Sequence, residues 1–215
     1  MKYLILDFGK VLAYPTCGNW FITPLIQKII PNIDGNQINQ LLHKYAYLLD
    51  KKLLTQEEEY IMFIELFTNL YNDLNIEVTK EQIEAIAYDF VYNDSKYQFY
   101  EGIREELELL SSKYTLLMLT DNWPCVLPIL DKYDLSKYFT KIYVSSIYDD
   151  KKDRGTFFDY PIKDFNIKDG EALFIDDNES LLTIGKSKGL KVKQMDREHI
   201  VTTSKHEIIH NLKNI

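Results

Sequence analysis

Two runs in the chain are apolar without interruption, Tyr3–Leu6 and Ala172–Ile175, and each ends on an aspartate. Short apolar runs of this kind are what strands buried on both faces of a parallel sheet require. Three further strand-like runs, Thr115–Leu119, Lys141–Val144 and Lys191–Gln194, are separated from them by segments of helical period. Helices are expected at Ile103–Ser111, Pro124–Lys132, Thr156–Asp164, Glu179–Lys188 and Lys205–Leu212. Between the first strand and about residue 112 the period is helical throughout. Thr23-Pro24 is a helix start, Ile38, Leu41, Leu42 and Tyr45 form one stripe, and Thr55 with Glu58 and Thr79 with Gln82 are capping boxes ahead of two longer stripes. The predicted fold is α/β: a doubly wound, parallel, five-stranded Rossmann-like sheet from residues 1–14 and 98–215, with a bundle of about four helices, residues 15–97, inserted as a cap over its carboxyl edge.

Composition narrows what such a fold does. The chain has 215 residues, enough for one α/β domain and a smaller appendage. Its net charge of −8, without clusters of Lys and Arg, argues against nucleic acid as a partner. The two cysteines, Cys17 and Cys125, are too few for a disulfide framework and lack metal-ligand spacing, which fits a reducing cytoplasm. Cys17, near the proposed crevice but without a base close in sequence, is expected to be a small loop residue and not a nucleophile. No apolar run reaches membrane-spanning length and no signal peptide is recognised, so a cytoplasmic protein without membrane partners, monomeric or a weak homodimer, is expected.

The candidate chemistry lies where the strands end. Open α/β sheets bind ligands in the crevice at their carboxyl ends, and the first polar residue after the first and fourth strands is Asp7 and the pair Asp176-Asp177. Close carboxylates repel unless a cation neutralises them, so a hard-metal site is expected, and with it phosphate chemistry. Thr120-Asp121-Asn122 ends the second strand, and Lys151-Lys152 follows the third at Ser145-Ser146. Read singly, Thr120 is equally a helix cap, and the charged stretch Asp149 to Arg154 equally a solvated loop.

Taken in order, Asp7, Thr120-Asp121-Asn122, Lys152 and Asp176-Asp177 resemble the four motifs of the haloacid dehalogenase-like hydrolase superfamily, in its branch with a helical cap between the first two. The resemblance covers almost the whole chain, including Tyr100-Glu101-Gly102-Ile103. It implies Asp7 as the nucleophile forming an aspartyl-phosphate, with Thr120, Asp121 and Asn122 binding the phosphoryl group. Lys152 would supply positive charge to that group and to Asp7. Magnesium would be held by Asp7, the Gly9 carbonyl and Asp177, with Asp176 supporting. The expected activity is magnesium-dependent hydrolysis of a small phosphomonoester, a sugar phosphate among the candidates. The alternatives are a non-catalytic binder of a phosphorylated ligand or a protein, and, behind it, a dehalogenase or phosphomutase.

Three positions depart from the pattern. Asp153 stands where the family usually has proline, and Leu181 replaces an asparagine common after the fourth motif. Gly9 replaces the aspartate that usually serves as general acid two residues after the nucleophile, a change shared with an α-glucose-1-phosphate phosphatase-like subgroup. Glycine here is expected to serve either that subgroup's chemistry or a backbone of positive φ. Lys10 is a loop cation for substrate or a solvent-facing side chain. Tyr14, Cys17, Asn19 and Trp20 are expected either to face the substrate or to pack the hinge.

Overall fold

The computed structural model describes residues 1–213 and 215. In chain order, β1 (Tyr3–Leu6) is followed by β2 (Ala13–Pro15) and by helices α1 (Pro24–Ile29), α2 (Gly35–Leu42), α3 (Ala46–Leu49), α4 (Gln56–Asp73) and α5 (Lys80–Tyr92). The chain returns through β3 (Tyr97–Phe99) to α6 (Ile103–Ser111), β4 (Thr115–Thr120), α7 (Val126–Lys132), β5 (Lys141–Val144) and α8 (Ser145–Tyr148). It ends with α9 (Asp159–Asp164), β6 (Ala172–Asp176), α10 (Glu179–Ser187), β7 (Lys191–Met195) and β8 (Ile208–Ile209).

The main sheet has the order β5-β4-β1-β6-β7-β8, and every pairing in it is parallel. The chain moves to one side of β1 with β4 and β5 and to the other with β6 and β7. That reversal places a crevice at the carboxyl ends of β1, β4 and β6. Both faces of the sheet are buried, and the strand residues divide between them. Leu4, Leu6, Leu116 and Met118 pack with Leu107 of α6 and Ile129 of α7. Ile5, Leu117 and Leu119 pack with Phe157, Phe158 and Leu182 on the other side. The inserted helices have a separate core, centred on Phe63, Leu66, Phe67, Ile86 and Phe90. Both expected capping boxes form, at Thr55 with Glu58 and Thr79 with Gln82.

Three features differ from expectation. The sheet has six strands, because the expected helix at Lys205–Leu212 is not formed. Residues in that stretch lie along the open edge of β7 instead, where Gln194 N–H donates to Glu207 O at 2.8 Å and Asp196 N–H to Ile209 O at 2.8 Å. An unpaired edge and two adjacent β-branched residues outweigh a weak helical stripe there. The helix expected from Thr156 opens as a 3₁₀ turn and becomes α-helical only at Asp159, with Pro161 tolerated in its first turn. A third feature lies where the chain leaves and re-enters the sheet domain: β2 and β3 pair antiparallel, Ala13 opposite Phe99 and Pro15 opposite Tyr97. Three residues per strand are too few to show in a sequence pattern.

Candidate active site

Asp7 is the first residue beyond β1, and its N–H donates to Ile175 O of β6 at 3.0 Å. That bond continues the parallel ladder by one residue and aims the side chain over the strand ends. Asp176 is the last residue of β6, and Asp177 follows it. Carboxylate oxygens of Asp7, Asp176 and Asp177 lie within 4.8 Å of one another. Lys152 reaches into the same place from the loop after β5, its Nζ 2.8 Å from Asp7 Oδ1 and 2.6 Å from Asp176 Oδ2. Asp7, Asp176 and Lys152 are buried, Lys152 to 2% exposure, while Asp177 is partly exposed. The two neighbouring lysines therefore separate: Lys151 pairs with Asp50 of the inserted helices, while Lys152 enters the crevice.

One ammonium faces three carboxylates, and the imbalance shows in their titration. Burial, opposed by Lys152 and reinforced by Asp176, raises the Asp7 carboxyl to about 7. Burial and Asp176 raise Asp177 to about 6. Burial works against the Lys152 ammonium, but Asp176 and Asp7 outweigh it and raise its pKa. The surplus negative charge and the all-oxygen donors fit a hard divalent cation. The donors are not equivalent. Asp176 is already engaged on both oxygens, by Lys152 and by the Asn178 N–H at 2.8 Å. Asp177 meets only Lys10, 3.8 Å away, while its backbone carbonyl accepts from Gln194 Nε2 at 2.8 Å. A cation in this place would take Asp7 and Asp177 directly and Asp176 through its surroundings.

The loop after β4 closes the crevice on the third side. Thr120 ends the strand, and no helix begins beside it, since α7 starts at Val126; the capping alternative therefore falls away. Asn122 is pinned by Ser145, whose Oγ accepts from the Asn122 N–H at 3.0 Å and donates to its carbonyl at 3.1 Å. Asp121 accepts from the Lys152 N–H at 3.1 Å, so the two loops are tied together. Thr120, Asp121, Asn122 and Lys152 all line one cavity of about 370 Å³ with Asp7, Gly9, Asp176 and Asp177. Asp153, at the position of the usual proline, points to solvent from a 3₁₀ turn.

Gly9 has its explanation in packing. The positive φ belongs to the next residue, Lys10, at 54°. A Cβ on Gly9 would lie 3.3 Å from Cζ2 of Trp20 and 3.7 Å from Asp7 Oδ2. The Trp20 indole thus borders the room in which an acid at this position would stand. Of the residues between Leu12 and Trp20, only Trp20 lines the cavity. Tyr14 donates to Gln98, and Asn19 bonds Gly35 O and the Phe21 N–H, which are structural tasks. Lys10 lines the cavity beside Asp177 while remaining half exposed.

The remaining wall was not foreseen. Phe21 of the turn before α1, Phe90 of α5, Tyr97 of β3 and Trp123 of the loop after β4 also line the cavity, as do Phe8, Asn178 and Leu181. Phe21 and Trp123 meet edge to face at 6.1 Å, and Trp20 and Tyr97 at 5.9 Å, so the wall is packed in advance. The signal was weak because Phe21 and Trp123 lie outside regular elements, and Phe90 belongs to an ordinary apolar stripe.

The family model described as haloacid dehalogenase-like hydrolase matches residues 33–195. Among curated proteins none matches the chain. Of solved structures, YfnB of Bacillus subtilis, described as a HAD-hydrolase and bound to magnesium, superposes with a TM-score of 0.70 at 17% identity, over 99% of this chain and 96% of that one. The HAD family enzyme BT-2542 of Bacteroides thetaiotaomicron, in complex with magnesium and inorganic phosphate, gives 0.64 at 19% identity over 94% and 98%. L-2-haloacid dehalogenase of Xanthobacter autotrophicus, with chloropropionic acid covalently bound, gives 0.71 at 12% identity over 100% and 96%. At these identities the likeness establishes a shared fold.

Proposed function

The chain belongs to the haloacid dehalogenase-like hydrolases, and on that premise we propose that it is a magnesium-dependent phosphatase acting on a small phosphomonoester. The observation that carries this reading is the position of Asp7, bonded to Lys152 at 2.8 Å and grouped with Asp176 and Asp177. Asp7, Asp177 and the Gly9 carbonyl would hold the magnesium, which supplies charge neutralisation for attack of one anion on another. The Asp7 carboxylate attacks phosphorus and forms an aspartyl-phosphate, which water then hydrolyses. Lys152 holds Asp7 in place and presents positive charge to the transferring group, while the Thr120 hydroxyl and the amides after it bind its oxygens. The carboxylate surplus is poorly suited to a haloacid, whose own carboxylate would need a cation, and this favours phosphatase over dehalogenase. The solved relatives bound to magnesium, one with inorganic phosphate, point the same way.

The test is phosphate release from a panel of small phosphomonoesters, with magnesium or with chelator, for wild type and Asp7→Asn. Turnover that needs magnesium and falls by roughly three orders of magnitude or more in Asp7→Asn is expected, since the change removes the attacking oxygen but keeps the side chain's size. Equal turnover by the two proteins would remove Asp7 from its role. Tight magnesium binding without turnover of any ester would favour the non-catalytic reading.

A further inference from the structure

The cavity joins charged groups around Asp7 to a wall of aromatic rings. Trp20 and Trp123 are partly exposed, and behind them Phe21, Phe90 and Tyr97 are packed into fixed positions. Beyond Lys152 the cation among the described lining residues is Lys10, partly exposed and 3.8 Å from Asp177. Among the lining amides, Asn122 Oδ1 accepts from the Trp123 N–H at 2.9 Å and Asn178 Oδ1 from the Ser180 N–H at 2.9 Å.

The missing acid is the second, independent observation. Trp20 borders the place beside Gly9 where a proton donor would stand. Tyr97, whose phenol burial raises well above the ordinary range, turns its hydroxyl to Asn122 Oδ1 at 3.5 Å. We infer that, given the phosphatase reading above, the substrate is an aryl or enol-type phosphate whose departing oxygen leaves as an anion, with its ring against the aromatic wall that Trp20, Trp123, Phe21, Phe90 and Tyr97 give the cavity. In the first step an Asp7 carboxylate oxygen forms a bond to phosphorus, the phosphorus–oxygen bond to the ring breaks, and its electron pair goes to the phenolate oxygen. Water then attacks phosphorus, the Asp7 carboxylate departs with its electron pair, and of the water's two protons one passes to the phenolate and the other stays with the phosphate. The products are a phenol and inorganic phosphate.

The experiment uses pairs of phosphomonoesters matched in leaving-group acidity, one aryl and one fluorinated alkyl, together with acetyl phosphate, a ringless acyl phosphate with an excellent leaving group. The expected result is kcat/KM at least tenfold higher for the aryl member of each pair, and a steep fall in rate with leaving-group basicity within the aryl series. The aryl-to-alkyl ratio should shrink in Trp123→Leu and in Trp20→Leu. Phenylphosphonate should quench indole fluorescence of the wild-type protein at concentrations at least tenfold below methylphosphonate, a readout that needs neither turnover nor a variant. Equal rates within matched pairs, or a hexose 1-phosphate exceeding every aryl ester, would overturn the inference. So would a flat aryl series that becomes steep in Asp121→Asn or Lys10→Met, since that residue would then be the proton donor. Turnover of acetyl phosphate with no aryl preference refutes the inference alone, whereas no turnover of any ester refutes the phosphatase reading beneath it.

Discussion

Two lysines are buried in this molecule, and their surroundings differ. Lys152, 2% exposed, lies between Asp7 and Asp176 with Asp177 close by. Lys96, 1% exposed, sits where the inserted helices meet the sheet domain. Its Nζ is 3.2 Å from Cys125 Sγ and lies over the rings of Phe90 at 3.9 Å and Tyr97 at 4.9 Å. Glu59 of α4 completes that second group and accepts the Cys125 N–H at 2.7 Å. Around Lys96 one cation is balanced by one carboxyl and two ring faces. Around Lys152 the carboxylates outnumber the cation, and the group opens into a cavity. A balanced buried cluster can serve as a joint; an unbalanced one has to recruit charge from outside.

The contrast is tested most severely by removing each lysine's charge while keeping its length. Lys152→Met should lower turnover by about 10²–10³-fold, through loss of charge at the transferring group. The same change should destabilise the metal-free protein by about 3–5 kcal/mol, because it leaves buried carboxylates unpaired. Steady-state rates and urea unfolding measure the two effects, and a variant of wild-type rate would place Lys152 outside the chemistry. Lys96→Met should act on stability first. Combined with Glu59→Gln it should show a coupling of about 0.5–3 kcal/mol in a double-mutant cycle, since the two groups share Cys125. Strict additivity would mean that they do not act as a unit.

A smaller effect concerns pH and separates the unbalanced cluster from the balanced one. The carboxyls of Asp7 and Asp177 are raised in the folded state to about 7 and about 6, from an ordinary value of 3.8. A group that binds its proton more tightly when folded contributes stability that is fully present below the unfolded value and lost as pH rises through the folded one. Metal-free protein should therefore lose stability from this cluster between about pH 4 and pH 7. Magnesium competes with those protons, so its stabilising effect should be larger at pH 8 than at pH 5. Thermal unfolding with and without magnesium at the two pH values measures it, and shifts of equal size would mean that the carboxyls do not bind the ion. The smallest effect is expected from Gly9→Ala, whose Cβ would press on Trp20 at 3.3 Å. It should cost about 1 kcal/mol or more in unfolding experiments, with relief in a Trp20→Leu background. A neutral Gly9→Ala would show that the indole yields freely.

The two clusters were not equally legible in the sequence. Asp7, Thr120, Lys152 and the Asp176-Asp177 pair could be found because each follows a strand whose own pattern announces it, and parallel strands bring their carboxyl ends together without further information. The Lys96 group had no such marker. Glu59 and Cys125 are 66 residues apart and are joined only by how the inserted helices dock. Position 9 was readable as glycine but not as a packing site, because the ring that touches it comes from the turn at Trp20. The misread helix at Lys205–Leu212 has a related cause. Ile208 and Ile209 are weak evidence for any element, and the open edge of β7 decided their structure. Local pattern was informative where it was long, and tertiary contact decided where it was short.

The paired strands β2 and β3 have a mechanical consequence. The chain enters the helical insertion through Ala13–Pro15 and leaves it through Tyr97–Phe99, and these two passages are hydrogen-bonded side by side. A body hung from two adjacent plies resists twisting and sideways slip far more than it resists swinging about the line across both, in the manner of a strap hinge. Trp20, just past one ply, and Tyr97, within the other, stand at that pivot and also line the cavity. Were the insertion to swing on these plies, Trp20 and Tyr97 at the pivot would move least and Phe21 and Phe90, further from it along the chain, would move with the insertion.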